Sequence, residues 1–412
     1  MISKIQIENF KSISNLSLEL GRVTVLIGEN GSGKSNILEA ITFAAAASAN
    51  KLDDEFLATR GIRVTEKEWM MPGFTEEDAE KEKEQKTIGI AISSLGYANP
   101  LAFSIERLRG KEKEWWHMDP RVAPGELEEE FRDPSCGENY SRKLVSQEWE
   151  NLCKVISDIG MEEKDKDILL KTLFVQEQKK ARIPEISEKI GLREFMIYAP
   201  ENTSLRKFEE EGSIKPLGTK GEGLLKLLQA ETSGEKGVAF VEEIKSRLAL
   251  LGWFEDLQFP TDADEMRGRL RIQDRWASSG GRLFDQRSAN EGFLYLLFYF
   301  VLFASRSTPS FFAIDNIDNA LNPKLCSAMM RQVTEMAKNH NKQVICTTHN
   351  PSILDGLNLH DDEQRLYVVR RDSEGRTIAT RVAPPRQRPD GKSTPLSAAF
   401  MSGLLGGLPD HF

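Results

Sequence analysis

Cysteine is scarce in this chain of 412 residues: there are four, Cys136, Cys153, Cys326 and Cys346, and no two form a C-x-x-C pair. That scatter argues against a zinc site or a disulfide framework and suits a reducing cytoplasm. Positive charge is not in excess either. A formal net charge of −9 means the chain as a whole is not a cationic nucleic-acid binder, although a local basic patch remains compatible with it. No apolar run reaches membrane length. The strongest, Phe293–Ala304, falls short of the roughly 20 residues a bilayer requires and reads as a buried core helix. A signal peptide is not expected, because Met1-Ile2-Ser3-Lys4-Ile5 leads directly into strand-like alternation. Heptad arrays long enough for a long coiled coil and internal repeats are also missing. What remains is a globular composition, 39% hydrophobic and 29% charged, enough for a sizeable core. The length suits two or three domains or one large α/β domain with insertions.

Against these absences stands one strong motif. Gly28-Glu29-Asn30-Gly31-Ser32-Gly33-Lys34-Ser35 fits the phosphate-binding loop G-x-x-x-x-G-K-[ST] at every fixed position. Val23–Ile27 before it is a β-branched and aliphatic run that reads as a buried strand. Asn36 and the residues after it begin an apolar pattern of helical spacing. In such a site backbone N–H groups curl round an anion at a helix N-terminus. Lys34 would reach the β- and γ-phosphates, and the Ser35 hydroxyl would coordinate Mg²⁺. The loop predicts binding of a nucleoside triphosphate, with Gly28, Asn30, Gly31, Ser32, Gly33, Lys34, Ser35 and Asn36 as its contacts.

Two strands precede the loop: one near Ile5, Ile7 and Phe10, and one with Leu16, Leu18 and Leu20 in alternation. After Ser48 charge rises through Lys51–Trp69, and Glu76–Lys86 reads as a solvated loop or exposed helix. Lys86–Ser94 and Leu101–Arg107 predict a hairpin turning at Gly96–Pro100. Gly110–Tyr140, rich in Glu, Pro and Gly, predicts an exposed loop. Leu144, Trp149, Leu152 and Ile156, and then Ile168, Leu169, Leu173 and Phe174, fall at helical spacing. Strand character returns at Phe195–Tyr198, helices follow at Gly223–Leu228 and Val238–Leu251, and Leu270–Ile272 reads as an edge strand. From Phe293 the pattern is helix, strand (Ser310–Ile314), helix (Lys324–Lys338), strand (Gln343–Thr347). Such alternation indicates a parallel sheet covered by helices. The expected organisation is a discontinuous head, residues 1–48 and 190–412, split by an insertion over 49–189.

Phe311-Phe312-Ala313-Ile314-Asp315 is four apolar residues ending in an acid, the Walker B pattern whose carboxylate helps hold Mg²⁺. It runs into Asn316-Ile317-Asp318-Asn319-Ala320-Leu321, and Asp-x-x-Asp-x-x-Leu resembles the Walker B and D-loop of the SMC, RecF and OLD-type ATPases, the ABC-like branch of phosphate-loop proteins. Ile7–Ile13, Gly28–Ala40, Tyr198-Ala199-Pro200-Glu201 and Thr347-Thr348-His349-Asn350-Pro351 are similar to the same group, so the resemblance covers the head and not the insertion. It implies an α/β head with a mostly parallel core sheet, an N-terminal antiparallel lobe and a partly helical insertion. It also implies two heads sandwiching two ATP molecules with Mg²⁺, a signature segment of each head capping the nucleotide held by the other. The candidate segment is Ser288–Gly292. Ser288 matches the family's signature serine, or Asn290-Glu291-Gly292 matches its Ser-Asp-Gly form. Either departs from the common pattern, and a plain helix N-cap is the ordinary alternative. His349 stands where the group places a histidine that senses the γ-phosphate. The other histidines, His117, His340, His360 and His411, have no such context.

The main departure is Asn316, where the group usually has a Glu that orients or deprotonates the attacking water. An amide orients water but does not accept its proton, a loss of about 10²–10⁴-fold in rate. Asp318 is a partial substitute, although its counterpart lies in the dimer-contacting D-loop. The expectation is therefore a slow ATPase that dimerises, or assembles further, around ATP and acts with a separate effector protein, a nuclease among the candidates, in DNA metabolism or anti-phage defence. The chain stops soon after Gly403–Pro409, which is expected to leave no room for a nuclease domain of its own. The competing reading is a nucleotide-gated scaffold or sensor with negligible hydrolysis. A transporter ATPase is disfavoured, because Leu-Ser-Gly-Gly-Gln is lacking. DNA contact would use basic stretches such as Arg267–Arg275 or Arg381–Lys392, which equally suit an ordinary charged surface.

Overall fold

Alternating apolar residues build the first sheet. In a computed structural model, which describes residues 1–63, 70, 72, 87–97, 100–107, 116–122, 183–207, 216–233, 237–259, 270–277, 283–385 and 394–407, β1 (Ile2–Phe10) pairs antiparallel with β2 (Ile13–Glu19). On its other side β1 pairs with β4 (Thr87–Ser94), which continues into β5 (Leu101–Arg107) and β6 (Trp116–Val122). The order β2-β1-β4-β5-β6 gives a five-stranded antiparallel lobe. The hairpin expected within 49–189 is thus part of the same sheet as the N-terminal strands. The expected exposed loop at Gly110–Tyr140 needs correction: Trp116–Val122 is a strand. Backbone pairing to the free side of β5 outweighs its composition, and Pro120 is tolerated because β6 ends that sheet. Glu76–Lys86 and the helical spacings at Leu144–Ile156 and Ile168–Phe174 lie outside the described residues.

Continuous apolar runs build the core sheet, as strands covered on both faces require. β3 (Val23–Ile27), β7 (Ile197–Tyr198), β11 (Phe311–Ile314), β12 (Gln343–Thr348), β13 (Gln364–Arg371) and β14 (Thr377–Arg381) stand in the order β14-β13-β3-β12-β11-β7. All neighbours run parallel except β14, a hairpin partner of β13. A small antiparallel sheet has the order β10-β9-β8, from β8 (Phe254–Gln258), β9 (Arg271–Asp274) and β10 (Leu283–Asp285). Leu270–Ile272, expected at an edge, instead leads into the central strand, because β8 and β10 add to both its sides.

The helices are α1 (Lys34–Ser48), α2 (Asp54–Thr59), α3 (Asn202–Leu205), α4 (Leu224–Thr232), α5 (Gly237–Leu248), α6 (Glu291–Ala304), α7 (Pro323–Asn339) and α8 (Leu396–Met401). Two cores result. One joins the first sheet, α1 and one face of the core sheet. The other joins the opposite face to α4, α5, α6 and α7. Every residue of α1 from Ile37 to Ser48 is buried, as expected of a helix enclosed between two layers. Its small Ala44–Ala47 run lets both sheets approach. Phe293–Ala304 is buried throughout α6, and among the described residues no helix is long and apolar enough to cross a membrane.

The buried Gln343 amide joins the two sheets. Its Oε1 accepts from the Ile2 N–H at 2.9 Å, and its Nε2 donates to the carbonyls of Ile2 and Gly21 at 2.7 and 2.9 Å. Gln343→Leu keeps the volume and strands three buried backbone groups, so unfolding in urea should show a loss of about 2–4 kcal/mol. A loss below about 0.5 kcal/mol would show that the amide does not join the sheets.

Candidate functional site

The phosphate-loop sequence folds where β3 meets α1, at the carboxyl end of a central parallel strand, the usual ligand position in such sheets. Three glycines permit the turn. Gly31 and Gly33 have φ of 77° and 104°, and a Cβ on Gly28 would stand 1.9 Å from the Val369 carbonyl oxygen. Neighbouring elements brace the loop. Thr377 Oγ1 donates to the Ser32 carbonyl at 3.0 Å, and Arg371 Nε donates to the Gly31 carbonyl at 2.8 Å. From the β1–β2 turn, Ser12 Oγ accepts from Asn36 Nδ2 at 2.6 Å and lies 2.7 Å from Thr377 Oγ1. Asn36, expected among the nucleotide contacts, is therefore held by the brace, and Asn30 is exposed.

Lys34 Nζ donates to the Gly28 and Glu29 carbonyls at 2.9 and 2.8 Å. Burial lowers the pKa of this ammonium to about 8, against the pull of Asp315, Asp318 and Glu29. The Ser32 hydroxyl is buried with no hydrogen-bond partner, an unmet donor of the kind a phosphate oxygen satisfies. Ser35 Oγ donates to Asp315 Oδ2 at 3.3 Å. A hydroxyl and one carboxylate, both hard oxygen donors, suit Mg²⁺, which takes its remaining ligands from phosphate and water. Among the described residues no group of three or more His, Cys, Asp or Glu side chains forms a metal cage. The residues present fit a triphosphate with Mg²⁺ held through Ser35 and Asp315.

Two threonines at the end of β12 organise the acids. Thr347 Oγ1 donates to Asp315 Oδ1 at 2.5 Å and accepts from the Asn316 N–H at 2.9 Å. Thr348 Oγ1 donates to Asp318 Oδ1 at 2.6 Å and accepts from the Asn350 N–H at 3.0 Å. Asn316 has a φ of 55°, left-handed backbone that Asn tolerates better than most residues. His349 is exposed beside Gly28 and Lys34. Loss of hydration there, and then the Lys34 charge, hold its pKa below the usual imidazole value, which favours the neutral ring. The structure thus brings Asp315, Asn316, Asp318 and His349 to the loop.

Ser288, Asn290 and Gly292 lie apart from that cluster, on the approach to α6. Asn290 Oδ1 caps the helix, accepting from the Phe293 N–H at 2.8 Å, and Ser288 is bonded to Asp285. Gly292 packs near Ala320 and Leu321 of the D-loop. Of the basic stretches, Arg275 pairs with Glu255 at 3.0 Å and Arg381 with Glu19 at 3.0 Å. Sequence reasoning gave no role to Thr347 and Thr348, although a Thr-Thr pair directly before the histidine was visible. Ser12, Arg371 and Thr377 had no such signal, because their partners are remote in sequence.

The family model described as "AAA ATPase domain" matches residues 1–217. A second, described as "AAA domain, putative AbiEii toxin, Type IV TA system", matches residues 252–355. The chromosome partition protein Smc of Methanocaldococcus jannaschii is 49% identical over 53 residues, 12% of this chain and 4% of that protein's length. The chain therefore spans only a small part of this relative. Among solved structures, an Smc head bound to the C-winged helix domain of ScpA matches with a TM-score of 0.51 at 14% identity, covering 93% of this chain and 98% of that one. The SMC head domain from Thermotoga maritima gives a TM-score of 0.45 at 14% identity, covering 92% and 98%. The likeness to the ScpA-bound head shows the fold, a phosphate-loop head of the SMC type.

The Lys34 shift carries a sign. Its folded pKa lies below the unfolded value, so charging it opposes folding fully below pH 8, and this cost fades as pH rises toward the unfolded pKa. Phosphate binds the charged form, so triphosphate affinity should fall up to tenfold per unit above pH 8. Fluorescence titration of a labelled nucleotide checks this. Lys34→Ala should bind far more weakly and lose the slope, whereas a retained slope would assign the titration to another group.

Proposed function

The chain belongs to the AAA ATPase domain family, and from that premise we propose that it is a slow ATPase that closes as a dimer around ATP and signals to a partner protein in DNA metabolism or genome defence. Residues 1–48 and 190–412 act as the head in this reading and 49–189 as an insertion, whose strands β4–β6 extend the first sheet. The observation that carries it is the Asp315–Thr347–Asn316 arrangement: a metal-holding carboxylate is fixed beside Ser35 and Lys34, while the next position offers an amide. ATP and Mg²⁺ can be held, but position 316 has no proton acceptor. His349, neutral and next to the loop, acts as the γ-phosphate sensor.

A composite site explains the Ser288–Gly292 segment. Ser288, Asn290 and Glu291 are exposed at the N-terminus of α6, a positive helix end suited to an anion. The adjoining Gly292 packs beside its own D-loop, and in this reading the phosphate they meet is one bound to a second copy. The same Asn316 also favours the second reading, a nucleotide-gated scaffold in which hydrolysis is incidental.

Light scattering with ATP, ADP or no nucleotide, each with and without duplex DNA, tests the assembly. Mass should double with ATP alone, and an unchanged mass under all conditions would overturn the dimer. Asn316→Glu tests the chemistry. Left-handed backbone opposes Glu by about 1–2 kcal/mol, whereas a base contributes about 10²–10⁴-fold, roughly 3–5 kcal/mol. Turnover should therefore rise at least about tenfold, and unchanged or lower turnover would sink the argument from Asn316.

A further inference from the structure

A carboxylate from outside the Walker B segment opens onto the metal-holding pair. β7 lies next to β11, with Tyr198 opposite Ile314, and the Asp315 N–H donates to the Tyr198 carbonyl at 2.8 Å. The residues that follow β7 therefore leave the sheet at the same carboxyl edge as Asp315. They are pinned there: the Ala199 N–H donates to the Thr219 carbonyl at 2.8 Å and the Glu201 N–H to the Lys220 carbonyl at 2.9 Å. A cavity of about 330 Å³ is lined by Ser35, Asp315, Ala199, Glu201, Thr219 and Lys220, among others. It has room for several waters. Lys220 Nζ holds Glu201 Oε1 at 2.9 Å, which orients the carboxylate while both side chains stay half-exposed.

The other acceptors near the loop are engaged, as Glu201 Oε1 is with Lys220. Asp315 takes bonds from Ser35 and Thr347, Asp318 takes one from Thr348, and His349 is bonded to the Gly28 backbone. We infer that Glu201 is the general base for the residual hydrolysis, supplying from the neighbouring strand the carboxylate that position 316 lacks. This rests on the ATPase reading above. As the water oxygen bonds to the γ-phosphorus, one water proton passes to the Glu201 carboxylate. The bond from γ-phosphorus to the β–γ bridging oxygen breaks, and its electron pair leaves with ADP. Glu201 then gives the proton to solvent, so ATP and water yield ADP and phosphate with the residue restored.

The test compares the parent chain with Glu201→Gln and Glu201→Asp by three measurements. These are ATP affinity by calorimetry, single-turnover hydrolysis, and retention of ADP–aluminium fluoride, a mimic of the attacked γ-phosphate, through gel filtration. Glu201→Gln should bind ATP within about twofold of the parent, hydrolyse it about 10²-fold more slowly and fail to retain the mimic. Glu201→Asp should keep part of the rate. Hydrolysis by Glu201→Gln within about twofold of the parent overturns the assignment. So does a fall in ATP affinity matching the fall in rate, which would make Glu201 a wall of the pocket rather than a base. A parent chain that does not bind ATP overturns the ATPase reading itself and this inference with it.

Discussion

The site depends on two hydroxyls at the carboxyl end of β12. Thr347 and Thr348 each donate to one acid and accept from one backbone N–H, so Asp315, Asn316, Asp318 and Asn350 are all referenced to a single buried strand. Threonine suits this task twice. Its branched Cβ fits a pleated, covered strand, and its hydroxyl can donate and accept at once. The opposite end of β12 carries Gln343, which holds β1 and the Gly21 turn. One strand thus sets both the position of the antiparallel lobe and the position of the acids.

Around that strand the loop is braced rather than free. Ser12, Asn36 and Thr377 form a short polar chain from the β1–β2 turn to the β14 hairpin, and Arg371 closes on Gly31. Behind it, Glu39 of α1 is buried between Lys11 at 2.5 Å and the largely exposed Arg63 at 3.0 Å. A buried carboxylate that lost either cation would be left under-compensated. This network therefore fixes how α1, and with it Lys34 and Ser35, sits against the first sheet.

The sequence made the central elements legible because their signals are local. The run Val23–Ile27, the glycines, the apolar stretch into Asp315 and the all-apolar Phe293–Ala304 each announce one element and its burial. Where long-range pairing decides, local reading failed. Trp116–Val122 has loop composition and becomes a strand by adding to β5, and Arg271–Asp274 becomes central only because β8 and β10 flank it. The site divides the same way. Lys34, Ser35, Asp315 and His349 are readable from motifs, whereas the Tyr198–Glu201 run shows only a resemblance in sequence and meets the site through the neighbouring position of β7 and β11.

The interleaving of chain ends has a consequence for how the molecule is made. Ile2 and Gln343 lie 341 residues apart in the chain, and β3 finds both its parallel partners only in β12 and β13. At a ribosomal pace of about 5–20 residues per second, β3 waits roughly 20–70 s for the strands that flank it. Asp315, Thr347 and the bracing Thr377 reach the nucleotide loop only after that interval, so a complete site is a late product of synthesis.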